Sequence, residues 1–119
     1  MSNYESRIQD VYKHLEENNI EVYFPEQHLG EVKTNYVVVR QDGENQFENY
    51  SSLVCSIDLY LYVPRNDYSQ MQLFIDKVKN IMKGLEPMIK PTFYVSSSYY
   101  DDLLKGHTVT ISYQYYRKI

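Results

Sequence analysis

Three histidines, one cysteine and an adjacent pair of aspartates are the residues whose types could support chemistry. His14 lies in a stretch with helical spacing, His28 in a loop segment near Glu26 and Glu31, and His107 at the start of an alternating run. A metal site needs ligands at paired short spacings, such as HExxH, and no such pair occurs. All three therefore read as solvated histidines. Asp101-Asp102 resembles a paired carboxylate. Neighbours on an extended chain point to opposite faces, however, so the two are poorly placed for joint acid/base work. A turn or cap just before Leu103-Leu104 explains the pair more simply. Cys55 cannot form an internal disulfide, and its apolar context makes it a small buried hydrophobe. GxGxxG, GxxxxGK[ST] and GxSxG are absent, and four glycines leave little from which to build a phosphate-cradling loop. The expectation is no catalytic residue, no cofactor, no metal and no enzyme.

Function must then be sought in surfaces, and the element that organises them is Ser52–Val63. Leu53, Cys55, Ile57, Leu59, Leu61 and Val63 fall on every second residue; Val54, Ser56, Asp58, Tyr60 and Tyr62 are the alternate set. A strand sends these sets to opposite faces, one aliphatic and one mixed and tyrosine-bearing. At twelve residues it exceeds the usual five or six. It reads as a central strand buried under helices on its aliphatic side.

Around it, Tyr4, Ile8, Val11, Tyr12 and Leu15 make one helical stripe in a first helix from Ser2 or Asn3 to about Glu17, ended by Asn18-Asn19. Ile20–Phe24 is a short strand closed by Pro25, and Glu26–Thr34 a loop around Gly30. Tyr36–Arg40 is β-branched and strand-like, and Asp42-Gly43 signals a hairpin turn. Glu44–Tyr50 then reads as a polar loop or ragged strand, and Gln41–Ser51 as mobile in the isolated subunit. After Pro64, Asp67 and Gln70 read as a cap and its reciprocal partner for a second helix. Met71, Phe74, Ile75, Val78, Ile81, Met82 and Leu85 form its apolar stripe, with Gly84 and Pro87 closing it. Lys90–Val95 is extended, Ser96–Lys105 is either a loop or a helical turn built on Leu103 and Leu104, and His107–Tyr116 is a second clear strand before a fraying terminus. Ile57, Leu59, Phe74, Ile75, Val78, Val109 and Ile111 should share one core. The order α-β-β-β-α-β-β predicts an α+β two-layer sandwich, a mainly antiparallel sheet of about five strands with two helices on one face, and residues 1–119 as one domain.

Composition narrows the class further. Charged residues make up 24% and hydrophobic residues 43%, the balance of a soluble folded domain. The net charge of −4 and the absence of a basic run argue against a grip on the nucleic-acid backbone. The first ten residues, MSNYESRIQD, hold no apolar run of the signal-peptide kind, and no stretch approaches a membrane span. The expected setting is soluble and cytosolic. Fourteen tyrosines stand beside no tryptophan. Either codon bias in an AT-rich genome or selection for protein contacts accounts for this, since an apolar ring with a polar tip suits interfaces.

The succession of a helix, EVYFPEQHLGEVKTNYVVVRQDG, a long alternating strand ending LYLYVPR, a second helix and a last strand ISYQYYR resembles the small neck and tail-completion proteins of long-tailed bacteriophages. Among these it is most similar to the tail terminators, with counterparts in phage-tail-like bacteriocins. The likeness rests on element order and texture over nearly the whole chain. It implies a structural virion protein: a homo-hexameric ring that caps the head-proximal end of the tail tube, stops its polymerisation and offers a surface to the head–tail connector. Its partners would be the tube and connector proteins, with DNA passing through the lumen without specific binding and no membrane contact. Its location would be the virion neck and, during assembly, the host cytoplasm. The alternatives are a head-completion protein joining the connector to the tail, or a small cytosolic protein-binding regulator. The residues expected at the assembly interface are Tyr60 and Tyr62 on the tyrosine-bearing face, and Asp42, Glu44, Phe47, Glu48 and Tyr50 in the acidic loop.

Overall fold

The computed structural model describes residues 6–28, 30–46 and 52–118, with no account of side chains at 6, 42–46, 52, 117 and 118. The described residues form helix α1 (Ser6–Glu17), strands β1 (Val22–Tyr23), β2 (Tyr36–Gln46) and β3 (Ser52–Pro64), helix α2 (Met71–Met82), and strands β4 (Lys90–Val95), β5 (Tyr99–Asp101) and β6 (Gly106–Lys118). The strands make one mixed sheet in the order β1-β2-β3-β6-β4, with β5 also pairing with β6. Only β1–β2 is parallel; the other pairings are antiparallel.

The long strand is central, as its pattern predicts: β3 is flanked by β2 and β6 and pairs with β6 over its whole length, from Ser52↔Lys118 to Pro64↔Gly106. Strict alternation puts Cys55, Ile57, Leu59, Leu61 and Val63 on one face, each with no exposed surface. Val37 and Val39 of β2 and Val109, Ile111, Tyr113 and Tyr115 of β6 continue that face. Val11 and Leu15 of α1 and Phe74, Ile75, Val78 and Met82 of α2 close the core from above. All seven residues expected to share the core do so.

Several local readings change. The strand expected to stop at Arg40 continues to Gln46, and Asp42-Gly43 is part of an irregularity between Gln41 and Glu44 instead of a hairpin turn. The partner decides this: β3 still offers ladder positions down to Leu53, opposite Gln46, so one extra residue is absorbed as a bulge, Asp42 and Gly43 together opposing Ser56. Phe47, Glu48, Tyr50 and the rest of 47–51 lie outside the described residues, as do Tyr4 and the proposed caps Ser2 and Asn3. The Asp67/Gln70 cap does not form. Arg65–Gln70 is a 3-10 turn, Gln70 makes no capping bond through its side chain, and α2 begins at Met71. A sixth strand, β5, arises within the segment left open between loop and turn, and β6 runs to Lys118 where fraying was expected. The left-handed residue after α1 is Asn19, at φ 65°, the conformation asparagine tolerates.

The link from β1 to its parallel neighbour β2 crosses the sheet on the side away from the helices. The Val32 amide donates to Leu104 O at 2.7 Å, and the Val32 side chain lies over Gly106. A Cβ at Gly106 would stand 2.7 Å from Val32 Cγ2 and 3.1 Å from Val63 O, so this crossing needs a glycine beneath it. Residues 24–28 and 30–35 therefore strap one end of the tyrosine-bearing face.

Candidate interaction surface

The strands lay out the second face in rows. Tyr36, Tyr62, Thr108 and Tyr99 are register partners across β2, β3, β6 and β5; Val38, Tyr60 and Thr110 form the next row; Arg40, Asp58 and Ser112 the third. The first row lies beside the strap. Tyr36 is almost fully buried, stacked on Tyr62 at 4.9 Å and on His28 at 4.1 Å, with Tyr23 edge-on at 5.4 Å. Burial drives the Tyr36 phenol far above its ordinary range, with the Tyr62 phenol adding to the effect. Burial likewise raises Tyr62, and the neighbouring Tyr99 adds to it while the Thr108 hydroxyl opposes it. This end of the face is an aromatic cluster held neutral by desolvation.

Tyr60 sits differently. It is half-buried, and its hydroxyl accepts a hydrogen bond from Arg40 Nη1 at 3.1 Å. Ser112 Oγ donates to Asp58 Oδ1 at 2.7 Å, which gives the buried carboxylate a strong, charge-assisted bond. Of the predicted pair, Tyr60 opens toward solvent through a polar neighbourhood, whereas Tyr62 is committed to the stack. Asp42 and Glu44 belong to the far end of β2, where Glu44 faces Cys55. From Tyr62 to Cys55 is seven residues of strand, about 23 Å. The ladder therefore sets Asp42 and Glu44 toward its other end from Tyr62.

The residues considered for chemistry are dispersed. His14 donates from Nε2 to Ile81 O at 2.7 Å and packs against Gly84, joining the two helices. His28 stacks on Tyr36, and His107 bonds through Nε2 to Arg65 O at 3.1 Å beside Tyr68 and Tyr100. None is the freely solvated group the sequence suggested. Asp101 caps a turn: its Oδ1 accepts from the amides of Leu103 and Leu104, at 2.9 and 3.1 Å. Cys55 is wholly buried in the core. Among the described residues, no group of three or more His, Cys, Asp or Glu side chains is placed to hold a metal ion, and no helix is long and apolar enough to cross a membrane.

A surface that pattern reading missed lies at the β4–β5 edge. β4 pairs with β6 at Lys90, Pro91 and Val95 only, and the residues between bulge outward. Phe93 at the tip is 89% exposed and has φ 65°. A phenylalanine held in the left-handed region costs about 1–2 kcal/mol relative to ordinary backbone. Thr92 supports the bulge, its hydroxyl donating to Ser112 O at 3.0 Å and accepting from the Tyr94 amide at 3.3 Å. Tyr94, Tyr99 and Leu103 are also exposed along this side. Beneath Phe93, a cleft of about 320 Å³ runs between β4 and the C-terminal half of α2, with Lys79 and Lys83 on its wall. The available signal was the consecutive Phe93-Tyr94, which an alternating strand with one wet face does not need.

In comparison with known proteins, no family model and no curated sequence matches the chain.

Proposed function

We propose that the protein is a non-catalytic assembly subunit that forms a ring at the head-proximal end of a phage or phage-like tail tube. In this role it ends tube growth and presents a surface to the connector. The observation that carries the reading is the distribution of exposed apolar side chains. Phe93, Tyr94, Tyr99 and Leu103 gather along one lateral edge of the sheet, where a monomer gains nothing from them and a subunit contact does. Two further features support it. The element order fits the resemblance drawn from the sequence, and His14, His107 and Asp101 are engaged in structural bonds at three separate places. The molecule measures 47 × 26 × 25 Å, with the β2–β3–β6 ladder as its long dimension. Such an elongated wedge suits placement around a tube, with its long strands spanning from rim to rim.

The deciding experiment is electron microscopy of particles assembled with and without the gene. Tails of uncontrolled length that fail to join heads are the expected result of its loss. Tails of normal length, attached to heads, would overturn the reading.

A further inference from the structure

The register of β4 with β6 passes from Pro91↔Tyr113 to Val95↔Ile111, so Thr92, Phe93 and Tyr94 together answer the single residue Ser112. The strand bows outward there, and the cleft of about 320 Å³ opens between it and the C-terminal half of α2. Ile111 and Tyr113, 3% and 4% exposed, form its floor; Pro91, Phe93 and Val95 extend the apolar lining. Tyr113 carries a polar atom into this lining. On the same sheet face, Tyr115 donates its hydroxyl proton to Gln41 Oε1 at 3.3 Å. Among the described residues, the Tyr113 hydroxyl meets no hydrogen-bond partner. A phenylalanine would fill the same space without giving up a hydrogen bond to water. Lys79 of α2 and Lys83 just beyond it also line the cleft. Among the described residues neither is ion-paired with Glu86, the one acid of the lining. Three unengaged donors thus meet apolar surface in one concavity.

We infer that this cleft binds a small amphipathic carboxylate, its apolar body lying under Phe93 against Pro91, Val95 and Ile111 and its anionic end taking hydrogen bonds from Tyr113, Lys79 and Lys83. Three observations select that chemistry. The open positions are donors: two ammonium groups, and a phenol that burial, with Glu86 adding to it, lifts to about 12 and so keeps protonated far above neutrality. An anion with acceptor oxygens satisfies all three, whereas an amine would meet two like charges against one carboxylate. The volume lies at the small end of ligand sites, which suits a single ring or a short chain and not a drug-sized molecule. The buried Tyr113 hydroxyl also gains from such an occupant the partner that the folded chain does not supply. The site is complete within one copy, so it stands whether or not the chain builds a ring.

The test titrates octanoate into the full chain and follows the backbone amides by NMR, with octylamine and octanol as its cationic and neutral counterparts. Octanoate should give saturable shifts at residues 91–95 and 111–113 and bind more tightly than either counterpart. Tyr113→Phe should weaken octanoate about tenfold, as expected when a hydrogen bond to a charged group is lost. The same variant should melt no lower than the parent, because its hydroxyl has no partner within the chain to lose. Lys79→Gln with Lys83→Gln should erase the preference for octanoate over octanol, and Glu86→Gln should tighten octanoate. These three positions are exposed, and circular dichroism should confirm that each variant folds. Octylamine binding more tightly than octanoate would overturn the assignment. So would shifts that never saturate or that scatter over the surface, or a Tyr113→Phe chain that binds octanoate as the parent does. A Tyr113→Phe chain that melts well below the parent would assign the hydroxyl to folding instead and overturn it equally.

Discussion

The two faces of the central sheet are built from the same three strands yet held by different physics. On the helical face, Leu59 lies between Val39 and Ile111 in register and is sealed by two helices. Its neighbours are aliphatic and interchangeable in kind, so stability there scales with buried area and packing. On the other face, the cover at one end is a strap whose fit depends on a few contacts: Val32 over Gly106, and His28 and Tyr62 on Tyr36. Beyond the strap, Arg40 and Tyr60 meet solvent through a polar bond, and Asp58 lies buried beside them with its bond from Ser112. A face closed by helices is robust because many residues share the load. A face closed by a loop is specific because few do.

The largest effect that would test this contrast is in the helical core. Leu59→Ala or Phe74→Ala should destabilise by about 2–5 kcal/mol, read by chemical denaturation; an unchanged midpoint for both would dissolve the packing described. Next comes Gly106→Ala, which forces a methyl group into Val32 and should cost about 1–3 kcal/mol. Val32→Ala combined with it should recover part of that loss, and purely additive costs would show that the strap does not rest there. Smaller again is Tyr60→Ala. Removing an exposed bond to Arg40 and a half-buried ring should change stability by less than about 1 kcal/mol, well below Tyr36→Ala in the stack.

Alkaline pH sharpens the comparison from a different side. Burial pushes Tyr113 up to about 12, with Glu86 adding to the effect, and pushes Tyr36 and Tyr62 up as well. A phenol whose folded pKa is raised contributes stability that is complete below its unfolded value of about 10 and is lost as the pH climbs through the folded value. Stability should therefore be level with respect to these groups up to about pH 10 and fall between about pH 10 and 12. Tyr113→Phe should flatten part of that fall at the helical face, and Tyr62→Phe a smaller part at the strap. Equal alkaline slopes in the parent and both variants would show that these rings are not desolvated as described.

How much of this was legible in the sequence follows the same division. Period-two alternation in residues 52–63 and 107–116, and the three-and-four spacing of Phe74, Ile75 and Val78, identify the helical face and its core directly, because burial by a large apolar layer imposes a pattern on every contributor. The strap left no such pattern. Its anchors are single residues, Val32, Gly106 and Tyr36, brought together by a parallel pairing of two residues at β1 that local propensity does not announce. The Asp42-Gly43 turn signal was sound chemistry overridden by tertiary context, since the longer partner strand kept the ladder going. That the surface is rich in tyrosine was legible in composition; which large side chains stand most exposed was not. Sequence favoured Tyr60 and Tyr62, whereas the most exposed large side chains are Leu103 and Phe93, at 92% and 89%.

The ladder between β3 and β6 also carries a consequence for biosynthesis. Its partners are far apart in the chain, with residue 52 opposite 118 and residue 64 opposite 106. A nascent chain that has completed β3 and α2 cannot close its central strand until residues 106–118 have been made. At ordinary translation rates, the interval from residue 64 to residue 106 lasts on the order of 2–8 s. Through that time Ile57, Leu59 and Leu61 lie beside an open strand edge able to pair with another nascent copy. Such non-local pairing folds slowly once it starts, because loop closure must precede its reward. Yield in the cell should therefore depend on how crowded the ribosomes are: sparse initiation or a chaperone that shields strand edges should raise the soluble fraction, and a stronger promoter should lower it.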